Sequence, residues 1–295
     1  MNSKFHGIFA ALTTPFQEDR FSLDKLKENV QKYNQHELSG YVVGGSTGEF
    51  LYLSEEECLS ALETVKDYSS PDKKIIAGTA RESTFHTVDF TNRAADAGAD
   101  AALVMLPHYY KSLMDTEALK SHFLTLADYS RIPVIIYNIP RNTGVFPDAE
   151  LILELSRHPN ILGIKDSSGN LAFFEGIITR FPQEKVYLLG AGSLLLSGLM
   201  LGASGGILTM AAVAPEICVR LYSLVEAKKW DKARQLQLDL LPLNQAITVK
   251  YGIPAAKYAL DLRGFYGGAC RSPLLPLKKK GREDIQNYLS KLDLL

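Results

Sequence analysis

Short apolar runs that end in small or polar residues recur along the chain at Gly7–Phe16, Gly40–Ser46, Lys74–Ala80, Ala101–Pro107, Pro133–Pro140, Ile161–Ser168, Val186–Gly192 and Gly205–Met210. Between them lie amphipathic stretches of helical period, among them Leu23–Glu37, Ser54–Tyr68, Thr84–Ala97, Asp115–Tyr129 and Asp148–Arg157. The runs predict eight strands at a beat of about thirty residues, the size of a strand–helix unit, and strands this apolar are covered on both faces, as in parallel sheets. Helix entrances are marked by Ser22 and Asp24, by Ser54 with Glu57 as a capping box, and by Asp148. Eight such units in succession predict an α/β fold, a (β/α)8 TIM barrel, whose functional site lies at the C-terminal ends of the strands. An open doubly wound sheet is the alternative, although no Gly-x-Gly-x-x-Gly fingerprint follows the first strand.

More chain follows the eighth unit. Pro215–Lys228, Asp231–Ala246 and Pro254–Leu262 read as helices, then a loop through Gly264–Pro276 and a last helix near Glu283–Leu292. The expected division is a barrel over residues 1–229 and a C-terminal helical extension over residues 230–295. The run Lys278-Lys279-Lys280 reads as a solvated helix entrance, too short for a polyanion site. One segment imitates a membrane span, because no charge occurs from Val186 to Pro215 and Gly198 and Gly202 stand in GxxxG spacing. Glycines and serines interrupt it, from Gly190 to Gly206, so it reads as a buried strand–helix–strand segment.

Composition narrows the class. The 295 residues, 46% hydrophobic and 22% charged, suffice for a full core. A net charge of −1 argues against a nucleic-acid or anionic-membrane surface. Cys58, Cys218 and Cys270 are far apart and form no CxxC pair, which suggests neither a disulfide framework nor a zinc site and fits a reducing compartment. The N-terminal Met-Asn-Ser-Lys-Phe-His has no apolar signal region, and Asn2 stands where myristoylation needs glycine, so a cytoplasmic location is expected. The six histidines, His6, His36, His86, His108, His122 and His158, show no HxH, HxxxH or HExxH spacing, and no metal is expected; ligands gathered from separate strands stay open.

Chemistry enters at the strand ends. Ile161-Leu162-Gly163-Ile164-Lys165-Asp166-Ser167-Ser168-Gly169 places one lysine inside an apolar strand, with Gly163 and Lys165 on one face. Burial disfavours a lysine's ammonium form, and the neutral amine attacks a carbonyl carbon to make a Schiff base. A lysine snorkelling to solvent or pairing with Asp166 fits the same segment. At the end of the fifth strand, Tyr137-Asn138-Ile139-Pro140 brings a phenol to the same mouth, either a proton shuttle or a core tyrosine with a wet hydroxyl. At the end of the second, Gly44-Gly45-Ser46-Thr47-Gly48-Glu49 offers close backbone approach and two hydroxyls to a carboxylate, or is only a turn. Three strand ends thus converge with a nucleophile, an acid–base and an anion cradle.

Taken in order, Gly45-Ser46-Thr47-Gly48-Glu49, Tyr137-Asn138-Ile139-Pro140 and Gly163-Ile164-Lys165-Asp166-Ser167 resemble the dihydrodipicolinate synthase/N-acetylneuraminate lyase family of pyruvate-dependent class I aldolases over nearly the whole chain. The resemblance implies a small-molecule 2-oxo acid substrate, pyruvate, held as a Schiff base on Lys165, with no metal and no other cofactor. It implies Tyr137 as proton shuttle, Ser46 and Thr47 on the carboxylate and in proton relay, and the Ile207 backbone against the keto acid. Asn142 and Gly190 join the substrate-binding set. Tyr110, in Pro107-His108-Tyr109-Tyr110, matches the tyrosine that reaches a neighbouring subunit's site, which implies a homotetramer built as a dimer of dimers.

The branch is read from two further stretches. Synthases of the family carry an arginine directly before Thr-Gly that grips the aldehyde partner's carboxylate; here Arg141-Asn142-Thr143-Gly144 has asparagine there. The loop Phe265-Tyr266-Gly267-Gly268-Ala269-Cys270-Arg271-Ser272-Pro273 is similar to the 4-hydroxy-2-oxoglutarate aldolase branch, with one departure at Thr47, a position where that branch has asparagine. Cleavage of 4-hydroxy-2-oxoglutarate to pyruvate and an aldehyde is therefore the expected reaction. Condensation of pyruvate with aspartate semialdehyde comes next, then 2-keto-3-deoxy sugar acid or N-acetylneuraminate cleavage. A non-catalytic 2-oxo acid binder on the same barrel is the alternative of another class.

Overall fold

The computed structural model describes residues 3–295; Met1 and Asn2, part of the N-terminal stretch read above, lie outside them. The eight expected strands close into one parallel barrel: β1 (Gly7–Ala11), β2 (Gly40–Val43), β3 (Lys74–Gly78), β4 (Ala101–Met105), β5 (Val134–Asn138), β6 (Ile161–Asp166), β7 (Val186–Leu189) and β8 (Gly205–Leu208). Neighbours in sequence are neighbours in the sheet, and β8 returns to β1, pairing Gly7 with Gly205 and Ala10 with Leu208. The open-sheet alternative is thereby excluded.

Every residue of β1, β2 and β4 to β8 is buried, as expected for strands whose inner faces fill the barrel and whose outer faces meet helices. Each strand is shorter than its apolar run. The surplus residues at the C-terminal ends peel into loops around the mouth, where apolar side chains still find cover. After β1, Phe16–Gln17 and Arg20–Phe21 form a two-residue hairpin that the run through Phe16 did not suggest.

Helix entrances follow their capping chemistry unevenly. Ser54 and Glu57 form the expected box, Ser54 Oγ accepting from the Glu57 N–H at 3.2 Å and Glu57 Oε2 from the Ser54 N–H at 2.9 Å. Ser22 and Asp148 stand at helix entrances without capping. Ser22 Oγ instead donates to Gln17 at 2.8 Å, and Asp148 accepts from Thr116 Oγ1 at 3.1 Å. The helix Leu171–Ile178 has little polar face, so its period is hard to see in sequence. The uncharged stretch from Val186 divides into β7, the short helix Leu195–Met200 and β8, and among the described residues no helix is long and apolar enough to cross a membrane.

Three long helices form the extension: Trp230–Gln245, Ile253–Leu262 and Lys279–Lys291. The last begins four residues before the sequence expectation, inside the lysine run, where Lys280 pairs with Asp284 at 2.8 Å. The first does not stop at Ala246 but widens into a π-helical turn over Ala246–Lys250. Such turns lack the tight 3.6-residue stacking and gather at functional sites. This one lies over the barrel mouth.

Candidate active site

A cavity of about 410 Å3 opens at the C-terminal ends of the strands, within the roughly 300–1,000 Å3 range of small-molecule sites. Lys165, Tyr137, Ser46, Thr47, Ile207, Asn142 and Gly190 all line it. Lys165 is 5% exposed, the next-to-last residue of β6. Tyr137 is its direct partner across the β5–β6 pair, and its ring centre lies 4.0 Å from Lys165 Nζ. The phenol oxygen is 3.4 Å from Ser46 Oγ. An amine, a phenol and an alcohol thus form one chain at the floor of the cavity.

The pairing of Lys165 with Asp166 does not form. Asp166 belongs to the opposite face of β6 and accepts from Asn138 Nδ2 at 2.8 Å, from the Ser168 N–H at 3.0 Å and from Ser168 Oγ at 2.9 Å. Burial pushes its carboxyl above the ordinary range, while hydrogen bonds from Ser168, Tyr187 and Asn138 pull the other way. No ion pair involves Lys165 among the described residues. Asn138 and Asp166 are themselves register partners, so their bond ties β5 to β6 one residue beyond Tyr137 and Lys165.

Two glycines make room for the lysine. A Cβ at Gly163 would meet the Val186 carbonyl oxygen at 1.9 Å, so only glycine lets β6 approach β7 this closely two residues before Lys165. A Cβ at Gly190 would fall 1.8 Å from Ser167 Oγ and 3.1 Å from Lys165 Cε. Gly190→Ala is therefore expected to slow imine formation on Lys165 by about tenfold or more, through a misplaced amine rather than lost stability. Borohydride trapping over time, run beside a thermal melt, checks this; trapping at the wild-type rate would show that Lys165 does not need the space.

Thr47 is held by a partner absent from the residues singled out in sequence, Thr209, whose Oγ1 lies 2.7 Å from Thr47 Oγ1. Thr209 directly follows β8, whereas Thr47 belongs to the turn Ser46–Gly48 that begins three residues beyond the end of β2. Other residues missed from sequence include Ala191 and Ser193 after β7 and, on the π-helical turn and its approach, Asn244, Gln245, Ile247, Thr248 and Val249, which roof the cavity. Asn142 sits on the short helix Pro140–Thr143 and faces both the main cavity and a neighbouring one of about 170 Å3. Arg141 also lines the main cavity, but its Nη2 donates to the Thr248 carbonyl at 2.7 Å.

Two residues stand apart. Tyr110 does not line the cavity within one chain; it is 66% exposed and packs edge-on against Tyr109, ring centres 5.0 Å apart. His108 has Nδ1 2.9 Å from Glu82 Oε1, while Glu82 Oε2 accepts the backbone N–H groups of His108 and Tyr109. Among the described residues no three of His, Cys, Asp and Glu gather closely enough to hold a metal ion.

Residues 4–292 match the model of the Dihydrodipicolinate synthetase family. Among curated relatives, the 4-hydroxy-tetrahydrodipicolinate synthase of Methanothrix thermoacetophila is 35% identical over 291 residues, 98% of this chain and 97% of the relative. That of Natronomonas pharaonis is 34% identical over 291 residues, covering 98% of each. Among solved structures, the dihydrodipicolinate synthase of Acinetobacter baumannii complexed with pyruvate superposes with a TM-score of 0.93 at 28% identity, over 98% of this chain and 99% of that one. These relatives carry the synthase name, not that of the 4-hydroxy-2-oxoglutarate aldolase branch that the C-terminal loop suggested.

Proposed function

Because the chain belongs to the dihydrodipicolinate synthetase family, a class I aldolase family working through a lysine Schiff base with pyruvate, we propose that Lys165 is that lysine and that the cavity above it joins pyruvate to an aldehyde. The observation that carries the reading is the buried contact of Lys165 with Tyr137, one register step from the strand ends and free of any carboxylate. Lys165 Nζ attacks C2 of pyruvate, and the carbonyl oxygen leaves as water after proton transfers through Tyr137 and Ser46. The resulting iminium acidifies C3. Loss of a C3 proton gives the enamine, whose C3 attacks the aldehyde carbon; the reverse direction breaks the same bond and stores its electrons in the iminium. Ser46 and Thr47 hold the pyruvate carboxylate, with Thr209 fixing the Thr47 hydroxyl. No step calls for a metal.

For the aldehyde, the first reading is aspartate semialdehyde, the synthase reaction, which reverses the order taken from the motifs. Full-length relatives with 34–35% identity support it. The second reading, cleavage of 4-hydroxy-2-oxoglutarate, is favoured by Asn142 at the mouth and by Arg141 being turned onto Thr248. Comparing kcat/KM for the two reactions on one preparation separates them. A ratio favouring condensation supports the first reading, and a ratio favouring cleavage overturns it. Asn142→Arg is expected to lower the KM for aspartate semialdehyde by about tenfold, since a charged bidentate hydrogen bond is worth roughly 1.5–3 kcal/mol. An unchanged KM would remove Asn142 from the aldehyde subsite.

The dimer-based tetramer belongs to the same reading. Tyr109, Tyr110, Leu113 and Leu51 leave large apolar surfaces uncovered beside the mouth, as a subunit contact would require.

A further inference from the structure

Behind the Ser46–Gly48 turn lies a charged cluster that the reaction steps do not touch. Lys257 and Glu49 are each 1% exposed at the side chain, with Nζ 2.6 Å from Oε1. Lys257 Nζ also donates to the Ala269 carbonyl at 2.7 Å and lies 4.5 Å from the centre of the Phe16 ring. The second Glu49 oxygen accepts the backbone N–H of Arg271 at 2.9 Å. The Arg271 guanidinium forks onto Glu57 with two bonds of 2.7 Å, donates to the Tyr52 carbonyl at 2.6 Å and lies 4.4 Å from the centre of the same Phe16 ring. Desolvation lowers the Lys257 pKa, and Glu49 opposes that shift.

A buried ion pair is poor evidence for stability, because apolar residues of the same volume do as well or better. Its positions are informative instead. Glu49 is the first residue after the turn that carries Ser46 and Thr47, and it sits at φ 55° and ψ 35°. A residue with a Cβ keeps that left-handed conformation when its surroundings impose it. Here both carboxylate oxygens are held by the extension, one by the helix Ile253–Leu262 and one by the loop after it. From the other side, Thr14 Oγ1 donates to the Gly48 carbonyl at 2.6 Å. The turn is gripped at its end, 222 positions away from Arg271 in sequence.

We propose that Glu49, Lys257 and Arg271 form a clamp by which the helical extension positions the Ser46 and Thr47 hydroxyls, so that affinity for the keto acid carboxylate depends on residues outside the cavity. They are positioning residues. The proposal rests on the reading of Ser46 and Thr47 as the carboxylate cradle.

Two variants of the full chain test it, Lys257→Met and the double variant Glu49→Gln with Lys257→Met. The first leaves a buried carboxylate unpaired and is expected to melt earlier; the second removes both charges and is expected to regain most of that loss. Both are expected to raise the KM for pyruvate roughly tenfold while kcat changes by no more than about threefold, and both still trap pyruvate on Lys165 at saturation. Amide hydrogen exchange of residues 44–50 in the ligand-free protein is expected to quicken in both. A double variant with wild-type KM and wild-type exchange overturns the clamp, leaving a purely structural cluster. Failure of the wild type to trap pyruvate would sink the Schiff-base reading of Lys165 and the cradle reading with it, and the exchange rates would still decide whether the turn is clamped.

Discussion

Lys165→Ala is expected to lower kcat/KM with pyruvate by about four orders of magnitude or more, because no other amine in the cavity can take over covalent catalysis. The cavity lining contains one lysine, and the other cation in that lining, Arg141, is a guanidinium that does not form imines at neutral pH. The variant is also expected to fold. Lys165 is 5% exposed and pairs with no carboxylate, so its removal strands no partner and relieves the cost of burying an amine. Steady-state rates and a thermal melt on the same preparation check both halves. A variant that melts with the wild type and keeps a tenth of its activity would move the chemistry elsewhere.

Tyr137→Phe ranks second, with an expected loss of about 10²–10⁴ in kcat, the range for removing a positioned proton-transfer group. The protein partner of the phenol oxygen is Ser46 Oγ at 3.4 Å, so deleting the hydroxyl breaks no strong bond and the ring keeps its place under Lys165 Nζ. Forming the imine needs proton transfer to the departing oxygen, and the aldol step needs it again at the new alkoxide. Single-turnover trapping and multiple turnover are therefore expected to slow together. Loss of multiple turnover with trapping at the wild-type rate would confine Tyr137 to the aldol step, and a loss under tenfold in both would make it a packing residue.

Several features of this site were legible in sequence because they are local. A lone charge in an apolar run marks Lys165, since such a run otherwise reads as buried strand. Gly163 two residues earlier was placed on the same face as Lys165, but its close approach to β7 shows only in the packing. Strand ends overran because apolar residues such as Leu12 and Leu106 stay buried after leaving the sheet, where hydropathy does not distinguish strand from covered loop. The π-helical roof was hidden for a related reason: Ala246–Lys250 carries no breaker, and one widened turn leaves the apolar spacing almost unchanged. Thr209 meets Thr47 only because β8 closes on β1 and β1 on β2.

The branch reading rests on a loop that stands away from the cavity. The loop Tyr266–Arg271 does not line the main cavity; it folds onto Asn29, Phe16, Glu49 and Glu57. Its residues therefore dock the extension on the barrel and do not themselves face the cavity. Asn142 does face the cavity, and the proposal for the aldehyde subsite rests on it.

The measurement to make first is the intact mass of the protein after borohydride reduction with pyruvate alone, for the wild type and for Lys165→Ala. A gain of one reduced pyruvyl group by the wild type and none by the variant is the expected result, and it ties the Schiff base to this residue. Equal labelling of both proteins, or of neither, would contradict Lys165 as the nucleophile.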